Sequence, residues 1–422
     1  MIGWLLKAGG YTVFLRVIAM VMTLVFVSAF SIWMDKADFG ILTLIIATTT
    51  LAASVGGFGQ SEQLIRDMPA ALAEENEEKA QIFLKHACAR VFWISLPLGF
   101  VVGVYFSLAG YGGLWVGAVT MLITILLSLN LAWSGAARSR DMYLWALAPK
   151  DIFWRFGALI ICGVVVLSGR AMGIDFAATV LAITLLIPVF FQARVLGIKA
   201  KDLFLLPKGD EAQWRVGFDL MLSSVAIAAQ STVDVFLIGL LMSEISAAEY
   251  FPANRLALVA GFFAMPFQLV LAPRLSRMVR QGDLNKARRL NMLSVLVIFA
   301  ATACVATAMI WGYDLYIGAF ATATNETRVA FVILAIGQIL VTLMGFPAPV
   351  LIASGYQTLM ARQNLIFFVI GSLAMAVAAA GGKIEWVAAA AAFGIVGRKF
   401  VIMIACGMKT GIWPFHLGWS RK

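Results

Sequence analysis

The sequence predicts an all-α polytopic membrane protein with about 12 transmembrane helices. Of its 422 residues, 62% are hydrophobic and only 13% are charged, whereas an ordinary soluble domain is about half apolar and about a quarter charged. Apolar stretches of about 18 residues or more recur along the chain, and roughly 20 residues cross the hydrocarbon core as a helix. A membrane barrel would instead need alternating segments of about 10 residues.

Apolar windows between polar breaks place the individual helices. The predicted spans are 11–34, 39–59, 87–109, 114–133, 147–168, 174–195, 216–242, 248–273, 291–311, 329–352, 364–381 and 385–407. The first is longer than the ~7–15-residue core of a signal peptide and lacks a small-residue cleavage site, so we expect it to be retained.

Basic residues distinguish the two ends of the spans. One set of alternate breaks is rich in Lys and Arg, and the other holds only Lys36, Arg170, Arg328 and Lys383. Positive residues near helix ends stay cytoplasmic, so both termini are predicted to lie inside, in a bacterial inner membrane. The net charge of +10 then belongs to cytoplasmic loops beside anionic lipid, and nucleic acid is not an expected partner.

Metal and redox chemistry have no ligand cluster in this sequence. The four cysteines, Cys88, Cys162, Cys304 and Cys406, form no CxxC pair, and the chain has only two histidines. These residues predict buried, inert thiols and no zinc or redox centre. A phosphate-binding loop of the GxxxxGK[ST] type is also missing, so we do not expect ATP hydrolysis on this chain. Neither a metal nor a resident cofactor is expected.

The two halves of the chain have matching layouts. The polar segment 197–215 near the midpoint is predicted to be a cytoplasmic linker between two six-helix lobes, 1–196 and 216–422. The interval from Met34 to Arg66 equals that from Met242 to Arg274. Six helices separate equivalent positions, an even number, so the lobes are predicted to be a parallel repeat.

A further pair of positions supports the same alignment of the halves. Ser134-Gly135 is predicted to close the fourth span, and Ser354-Gly355 is predicted to close the tenth.

Cationic residues inside the spans are the predicted substrate-binding site. An intramembrane charge costs roughly 2.5–3.5 kcal/mol on insertion scales and usually lines a cavity. The candidates are Arg16, Arg255, Arg398 and Lys399, which would favour a cargo that bears phosphate or carboxylate. Pairing between helices is the alternative, and Arg16 also has a stem long enough to reach the headgroups.

Asp234 is the predicted coupling-ion residue. It lies some eight residues before the outer end of its span, ~12 Å deep, where a carboxylate is too short to reach the surface. Gln230 and Thr232 offer oxygen ligands for a cation beside it. Arg255 is the alternative, structural partner of Asp234. Asp151 and Arg155, one turn apart, are expected to form an internal ion pair.

Several of these residues carry a family resemblance. They are Phe39-Gly40, Gly56-Gly57-Phe58-Gly59 and Arg66 in the first half, and Asp234, Gly239, Tyr250, Ala253, Arg255, Pro273, Arg274, Gly282 and Asp283 in the second. Together they resemble the Wzx-type polysaccharide flippases of the multidrug/oligosaccharidyl-lipid/polysaccharide (MOP) exporter superfamily. In span number and length, the resemblance covers nearly the whole chain.

The resemblance implies a MATE/MOP-like fold, with two six-helix lobes around a V-shaped cavity that opens alternately to the two faces. The implied cargo is an undecaprenyl-diphosphate-linked oligosaccharide, moved to the periplasmic leaflet for cell-surface polysaccharide such as O-antigen. Its diphosphate would be drawn to the cationic candidates, while H⁺ or Na⁺ at Asp234 would bias the lobes. Beyond membrane lipids, a polysaccharide polymerase and a chain-length regulator are the implied partners.

Two other functions remain as alternatives. A drug or metabolite antiporter of the same superfamily would show more acidic residues in its lumen, whereas the candidates here are mostly basic. A membrane-embedded glycosyltransferase or polysaccharide polymerase would need a sizeable outward loop, and the longest one, 311–328, is short and nearly neutral. We therefore expect a transporter and not an enzyme.

Overall fold

The computed structural model describes residues 2–206, 211–229, 232–262, 271, 274–275, 277–279 and 281–414. Within these residues the regular secondary structure is entirely helical, as the sequence predicts. Contacts divide the chain into two compact units, one of Phe14–Gly239 and one of Met1–Val13 with Leu240–Lys422. The predicted lobes 1–196 and 216–422 with their linker 197–215 stay a prediction.

The first unit is organised around one long central helix. Its helices are α1 (Ile2–Trp33, from Phe14 onward), α2 (Lys36–Gly56), α3 (Gln60–Ala73), α4 (Glu77–Leu108), α5 (Gly113–Ser139), α6 (Tyr143–Ala148), α7 (Trp154–Leu167), α8 (Ile174–Val195), α9 (Ala200–Leu203), α10 (Glu211–Ala229) and α11 (Val233–Leu241, to Gly239). A π-helix, Pro149–Phe153, joins α6 to α7. Since α5 packs against α2, α3, α4 and α8, it forms the centre of this unit.

The second unit is built on a row of packed helices. They are α12 (Glu244–Gly261), α13 (Leu284–Trp311), α14 (Tyr313–Tyr316), α15 (Asn325–Leu343), α16 (Pro347–Ala353), α17 (Gln357–Ala380) and α18 (Ile384–Thr410), with a 3₁₀ turn at Ile317–Ala319. Helix α15 packs against α12, α13 and α18, and α17 packs against α16 and α18. Arg255 on α12 and the Arg398–Lys399 pair on α18 therefore lie on two helices that both pack against α15.

Nine helices of the described chain are long and apolar enough to cross a membrane: α1, α2, α4, α5, α8, α13, α15, α17 and α18. The other three predicted spans are not continuous described helices. Span 147–168 is divided by the π-helix, and span 216–242 is divided between α10 and α11. Span 248–273 begins as α12 and runs into residues outside the described part. Twelve crossings remain compatible with these helices.

Some predicted boundaries differ from the observed helices for local reasons. Span 87–109 begins earlier, at Glu77, because Asn76 caps α4 by accepting a hydrogen bond from the Lys79 backbone at 2.9 Å. Span 329–352 is divided at Gly345, whose φ of +66° favours glycine and ends the helical path. Hydropathy alone registers neither a polar helical extension nor a turn within an apolar run.

The helices α2 and α12 begin in the same way, each with a side-chain cap. Asp35 caps α2 by accepting from the Asp38 backbone at 2.8 Å, and Ser243 caps α12 by accepting from the Ser246 backbone at 3.1 Å. These caps satisfy N–H groups that have no partner within the helix.

The second predicted match between the halves differs from the structure. Gly135 lies inside α5, which continues to Ser139, so Ser134-Gly135 does not close its span. Gly355, in contrast, follows α16 with a φ of +82°. The two glycines thus have different roles, one in packing and one in a turn.

The glycine motif 56–59 forms the tight junction between α2 and α3. A Cβ on Gly56 would lie 2.7 Å from Ser128 Oγ, and a Cβ on Gly59, where φ is +64°, would lie 2.7 Å from the Gly217 carbonyl oxygen. Phe58 also packs edge-on against Trp214 with ring centroids 5.4 Å apart. The motif therefore brings this junction against α10 within the first unit.

Candidate functional site

Arg398 and Lys399 lie near the middle of α18, roughly 20 Å along the helix from Ile384. Arg398 Nη1 donates a hydrogen bond to Asn364 Oδ1 at 3.3 Å. Its buried Nε has no hydrogen-bond partner among the described residues. Within that same part of the chain, Lys399 forms neither a hydrogen bond nor an ion pair. Two adjacent cations thus lie at membrane depth beside a neutral amide.

Glycines bring the two helices of this cation pair together. A Cβ on Gly394 of α18 would lie 3.5 Å from the Gly371 Cα of α17, and a Cβ on Gly397 would lie 3.1 Å from the Phe367 ring. Small residues permit such close approach of membrane helices. Because α17 and α18 approach here, Asn364 can reach the guanidinium of Arg398.

Arg255 lies within α12, in the same unit as Arg398 and Lys399. Its guanidinium carbon lies 4.5 Å from the ring centroid of Phe251, one turn earlier in the helix. Phe251 is buried, so the ring gives the cation a fixed apolar surface to stack on. The structure therefore places three of the four predicted cations in one unit, on α12 and α18.

Arg16 belongs to the other unit, where a second arginine lies near it. Arg138 in the last turn of α5 is close enough to Arg16 for their charges to repel, and its attraction to Glu62 is larger than that repulsion. Arg138 Nη2 donates to Ser61 Oγ at 2.9 Å, and its Nε donates to the Ser134 carbonyl at 3.2 Å. Arg16 and Arg138 thus form a cationic cluster in the first unit.

Two arginines were missed as site candidates by reasoning from sequence. Arg138 looked like a loop cation because the fourth span was ended at residue 133. Arg90 lies inside the predicted span 87–109, so its position there was a usable signal. Its side chain is only 4% exposed, and its guanidinium carbon lies 5.5 Å from the Trp214 ring centroid.

Asp234 is buried at the start of α11, just after the interruption that separates α11 from α10. Its Oδ1 accepts a hydrogen bond from the Val235 backbone at 2.9 Å, and the helix dipole favours a carboxylate here. Thr232 is also buried, and its hydroxyl donates to the Ala228 carbonyl at 2.8 Å. Gln230, the third predicted ligand, lies outside the described residues.

The described residues contain no group of three or more His, Cys, Asp or Glu side chains that could hold a metal ion. A cation at Asp234 would therefore need hydroxyl, amide or backbone oxygens as its other ligands. The coupling-ion role of Asp234 stays a prediction.

Asp151 and Arg155, the ion pair expected in the fifth predicted span, form a long ion pair. Asp151 Oδ1 lies 4.0 Å from Arg155 Nη1, which donates a shorter bond of 2.6 Å to the Asp151 backbone carbonyl. Lys150 is equally far from the same carboxylate group, at 4.0 Å. Arg155 also lies over the Trp154 ring at 4.7 Å. This cluster supports the π-helix, whose carbonyls leave the α-helical pattern.

A comparison with family models decides the family. The model described as polysaccharide biosynthesis protein matches residues 5–279, which is more than half of the chain. The chain belongs to the polysaccharide biosynthesis protein family. This family consists of MOP-superfamily flippases, so the predicted resemblance is confirmed. No curated protein sequence matches the chain.

Solved structures of MOP-superfamily transporters share the fold of this family member. An inward-facing multidrug resistance MATE transporter has a TM-score of 0.69 at 13% identity, covering 93% of this chain and 94% of that chain. An outward-facing MATE transporter gives 0.66 at 13% identity, with 96% of each chain covered. A MOP-superfamily transporter from Pyrococcus furiosus, described as having reversed polarity in its binding pocket, gives 0.60 at 12% identity and 96% coverage of each.

These comparisons confirm the predicted MATE/MOP-like fold class. With the nine candidate spans of the described chain, this family member has the fold of a multi-pass membrane transporter.

The predicted outward loop 311–328 of this family member is folded against α12. Thr322 Oγ1 donates to the Ala248 carbonyl, and Thr327 Oγ1 donates to the Glu249 carbonyl, both at 3.0 Å. Arg328 pairs with Asp314 at 3.5 Å and lies 5.4 Å from the Tyr313 ring centroid. Burial raises the pKa of Tyr313 to about 12, so this phenol stays neutral beside the cation. These contacts make the loop a structural connection between α13 and α15.

Proposed function

We propose that this protein is a flippase for a lipid-linked oligosaccharide, carried on a polyprenyl diphosphate such as undecaprenyl diphosphate. It moves the lipid from the cytoplasmic to the periplasmic leaflet of a bacterial inner membrane, with both of its termini cytoplasmic. The observation that carries the proposal is the Arg398–Lys399 pair at mid-helix in α18, beside the neutral side chain of Asn364.

The chemistry of that pair favours an anionic cargo. Two adjacent cations in a membrane helix are costly unless something compensates them, and intramembrane charges commonly mark substrate pathways. The partner that holds Arg398 is an amide, which orients the guanidinium without neutralising it. A diphosphate can accept several charge-assisted hydrogen bonds from Arg and Lys. A cationic drug, in contrast, would be repelled.

Transport by reconstituted protein tests the proposal directly. Purified protein in liposomes is given a fluorescent polyprenyl-diphosphate oligosaccharide, and movement between leaflets is followed by reduction of the dye from outside. We expect Arg398→Gln and Lys399→Gln to slow transport about 10-fold or more, since each removes one cation. Lys409→Gln is the matched control, because Lys409 is an exposed cation in the last turn of the same helix.

The alternative functions predict different experimental results. Transport of a cationic dye in place of the lipid, undiminished in Arg398→Gln, would favour the antiporter. In cells that lack the gene, a lipid-linked glycan that reaches the periplasm but is not polymerised would favour the polymerase. An equal loss of lipid transport in Lys409→Gln would show that the Arg398–Lys399 pair has no specific role in transport.

We also propose that transport uses alternating access and is coupled to H⁺ or Na⁺ at Asp234, with Thr232 and Gln230 as neighbouring ligands. The support is the burial of Asp234 and Thr232 beside the interruption between α10 and α11. A coupling ion acts only through different affinities for the two transport states. We expect Asp234→Asn to abolish stimulation by an imposed ion gradient, and undiminished stimulation would exclude this role.

Partners in the cell follow from the same proposed pathway. A flippase delivers its product to the periplasmic leaflet, where a polysaccharide polymerase and a chain-length regulator would use it. We propose these two as functional partners, and we propose that transport needs no resident cofactor.

A further inference from the structure

A groove with a volume of about 630 Å³ lies on the first unit, between α5 and α8. Leu129 and Trp133 line it from α5, and Leu186 and Val189 line it from α8. Leu129, Trp133 and Val189 are buried, whereas Leu186 is 45% exposed at the surface of the unit. The groove therefore has an apolar floor and opens to the surroundings of the protein, which along a membrane helix are lipid.

Two basic side chains lie at one end of the groove. Arg194 lies in the last turn of α8 and Lys199 follows shortly after it, and both line the groove. The Arg194 guanidinium carbon lies 5.1 Å from the Phe190 ring centroid, so its stem follows the apolar wall. In the part of the chain that the structure describes, no acidic side chain forms an ion pair with either cation. One end of an apolar groove thus carries uncompensated positive charge.

The nearby carboxylate of Asp202 does not neutralise this end. Asp202 is 3% exposed, does not line the groove, and accepts a hydrogen bond from the Lys199 backbone at 2.8 Å. That bond holds the turn that follows α8, in which Lys199 lies. The Lys199 side chain remains exposed at the mouth of the groove.

The segment that follows the groove has an apolar outer surface. Phe204 and Leu206 are 64% and 77% exposed, although both are large and apolar. Trp93 Nε1 donates to the Leu205 carbonyl at 3.2 Å and so ties this segment to α4. Exposed apolar residues beside a basic cluster are typical of a surface in the headgroup region of a bilayer. The composition around the mouth of the groove therefore fits a position in the headgroup region.

We propose that this groove binds an anionic phospholipid of the surrounding membrane, with an acyl chain along α8 and the phosphate against Arg194 and Lys199. From Leu186 to Arg194 the helix rises ~12 Å, which matches part of one acyl chain. The volume of the groove falls within the ~300–1,000 Å³ of typical ligand pockets. Basic pockets between membrane helices bind anionic headgroups. The groove residues belong to the first unit, whereas the proposed cargo cations on α18 belong to the second.

Lipid binding to the full-length protein tests the site. The purified protein in detergent is titrated with phosphatidylglycerol or phosphatidylcholine, and bound lipid is counted by native mass spectrometry. We expect phosphatidylglycerol to bind at least ~10-fold more tightly, and Arg194→Gln/Lys199→Gln to weaken it by about 10- to 30-fold. Ala193→Trp, which fills the groove but keeps both cations, should weaken binding comparably.

Two controls separate this site from general charge and from misfolding. Arg170→Gln/Lys201→Gln removes the same charge from exposed residues that do not line the groove, and should change affinity less than about twofold. Arg194→Lys/Lys199→Arg keeps both charges and should retain binding. Because this exchange preserves charge, it also shows that substitutions at these positions are tolerated by the fold.

Three results would overturn the proposal. The first is equal affinity for phosphatidylcholine and phosphatidylglycerol, which would leave the cations without a role. The second is an equal loss of binding in the Arg170/Lys201 control. The third is displacement of phosphatidylglycerol by a small excess of polyprenyl phosphate, which would assign the groove to the transported lipid. The first two results do not depend on whether the protein flips a glycolipid, so they separate the failure of this lipid site from the failure of the proposed function.

Discussion

Gln192 of α8 joins two other parts of the first unit through its buried amide. Its Oε1 accepts a hydrogen bond from Asn130 Nδ2 of α5, and its Nε2 donates to the backbone carbonyl of Trp145 in α6, both at 2.7 Å. Gln192 and Asn130 are fully buried. Since α6 leads directly into the π-helix, Gln192 supports the start of the broken fifth span from the side.

Removal of the Gln192 amide should destabilise the protein more than removal of both amides. Gln192→Leu leaves the Asn130 amide buried without this partner, which costs about 1–3 kcal/mol. In Asn130→Leu/Gln192→Leu both polar groups are gone, so part of the loss should be recovered. Thermal unfolding of the two single variants and the double variant measures the coupling. Strictly additive losses would show that the two amides do not act as a pair.

Gly135 should be intolerant of even one added methyl group. A Cβ there would lie 2.3 Å from the Ser61 carbonyl oxygen and 2.6 Å from the Ser61 Cα. Backbone atoms cannot rotate away, so Gly135→Ala must separate α5 from α3, at a cost of about 1–3 kcal/mol. The shift also moves Ser61, which accepts a hydrogen bond from Arg138. Melting temperature in detergent provides the measurement.

Gly163 offers a matched control in the same unit. A Cβ there meets only the Trp33 ring at 3.4 Å, which is ordinary contact. Gly163→Ala should leave the melting temperature unchanged or slightly higher, because alanine favours the helix. Similar losses in both variants would indicate a general intolerance of larger residues and not a specific approach at Ser61.

The fold was predictable because hydropathy averages over a whole span. Nine described helices coincide with apolar windows that are visible in the sequence. The breaks were not predictable, since the path of the backbone leaves hydropathy unchanged. Thr232 lies at the interruption between α10 and α11, and Pro149 begins the π-helix, yet both residues lie in or beside runs that read as continuous spans.

The candidate site was predictable in its charges but not in their contacts. Arg398 and Lys399 were identified because cations within apolar runs are rare and costly. Their neighbour Asn364 was not, because the contact depends on how closely Gly371 and Gly394 let α17 approach α18. Arg138 was missed because Gly135 was taken for a helix end, whereas its packing against Ser61 lets α5 continue.

The planar guanidinium of Arg255 should matter beyond its charge. Arg255→Lys keeps the charge but loses most of the stacking on Phe251 and the forked donors that match a phosphate. We expect lipid transport to fall several-fold in Arg255→Lys and further in Arg255→Ala. Arg362→Lys, at an exposed arginine of α17, should transport at the normal rate. If Arg255→Lys transports the lipid as fast as the unaltered protein does, a point charge suffices at this position.

A carboxylate in place of the Asn364 amide should inhibit transport without harming the fold. Asp has nearly the same shape, so in Asn364→Asp one carboxylate oxygen would replace the Oδ1 that accepts from Arg398 at 3.3 Å. The result is an ion pair that occupies the guanidinium and cancels its charge at membrane depth. We expect the transport rate of a diphosphate-linked lipid to fall about 10-fold, with an unchanged or raised melting temperature.

The pH dependence and a neighbouring control distinguish this effect from damage to packing. Transport by Asn364→Asp should recover as the pH is lowered, because protonation of the new carboxyl removes the competing negative charge. Gln363→Glu adds the same charge one residue away, rotated about 100° around the helix, and should slow transport less. In an Arg398→Gln background, Asn364→Asp should cause little further loss, since no guanidinium remains to neutralise. A full additional loss there would mean that Asn364 acts on the cargo independently of Arg398.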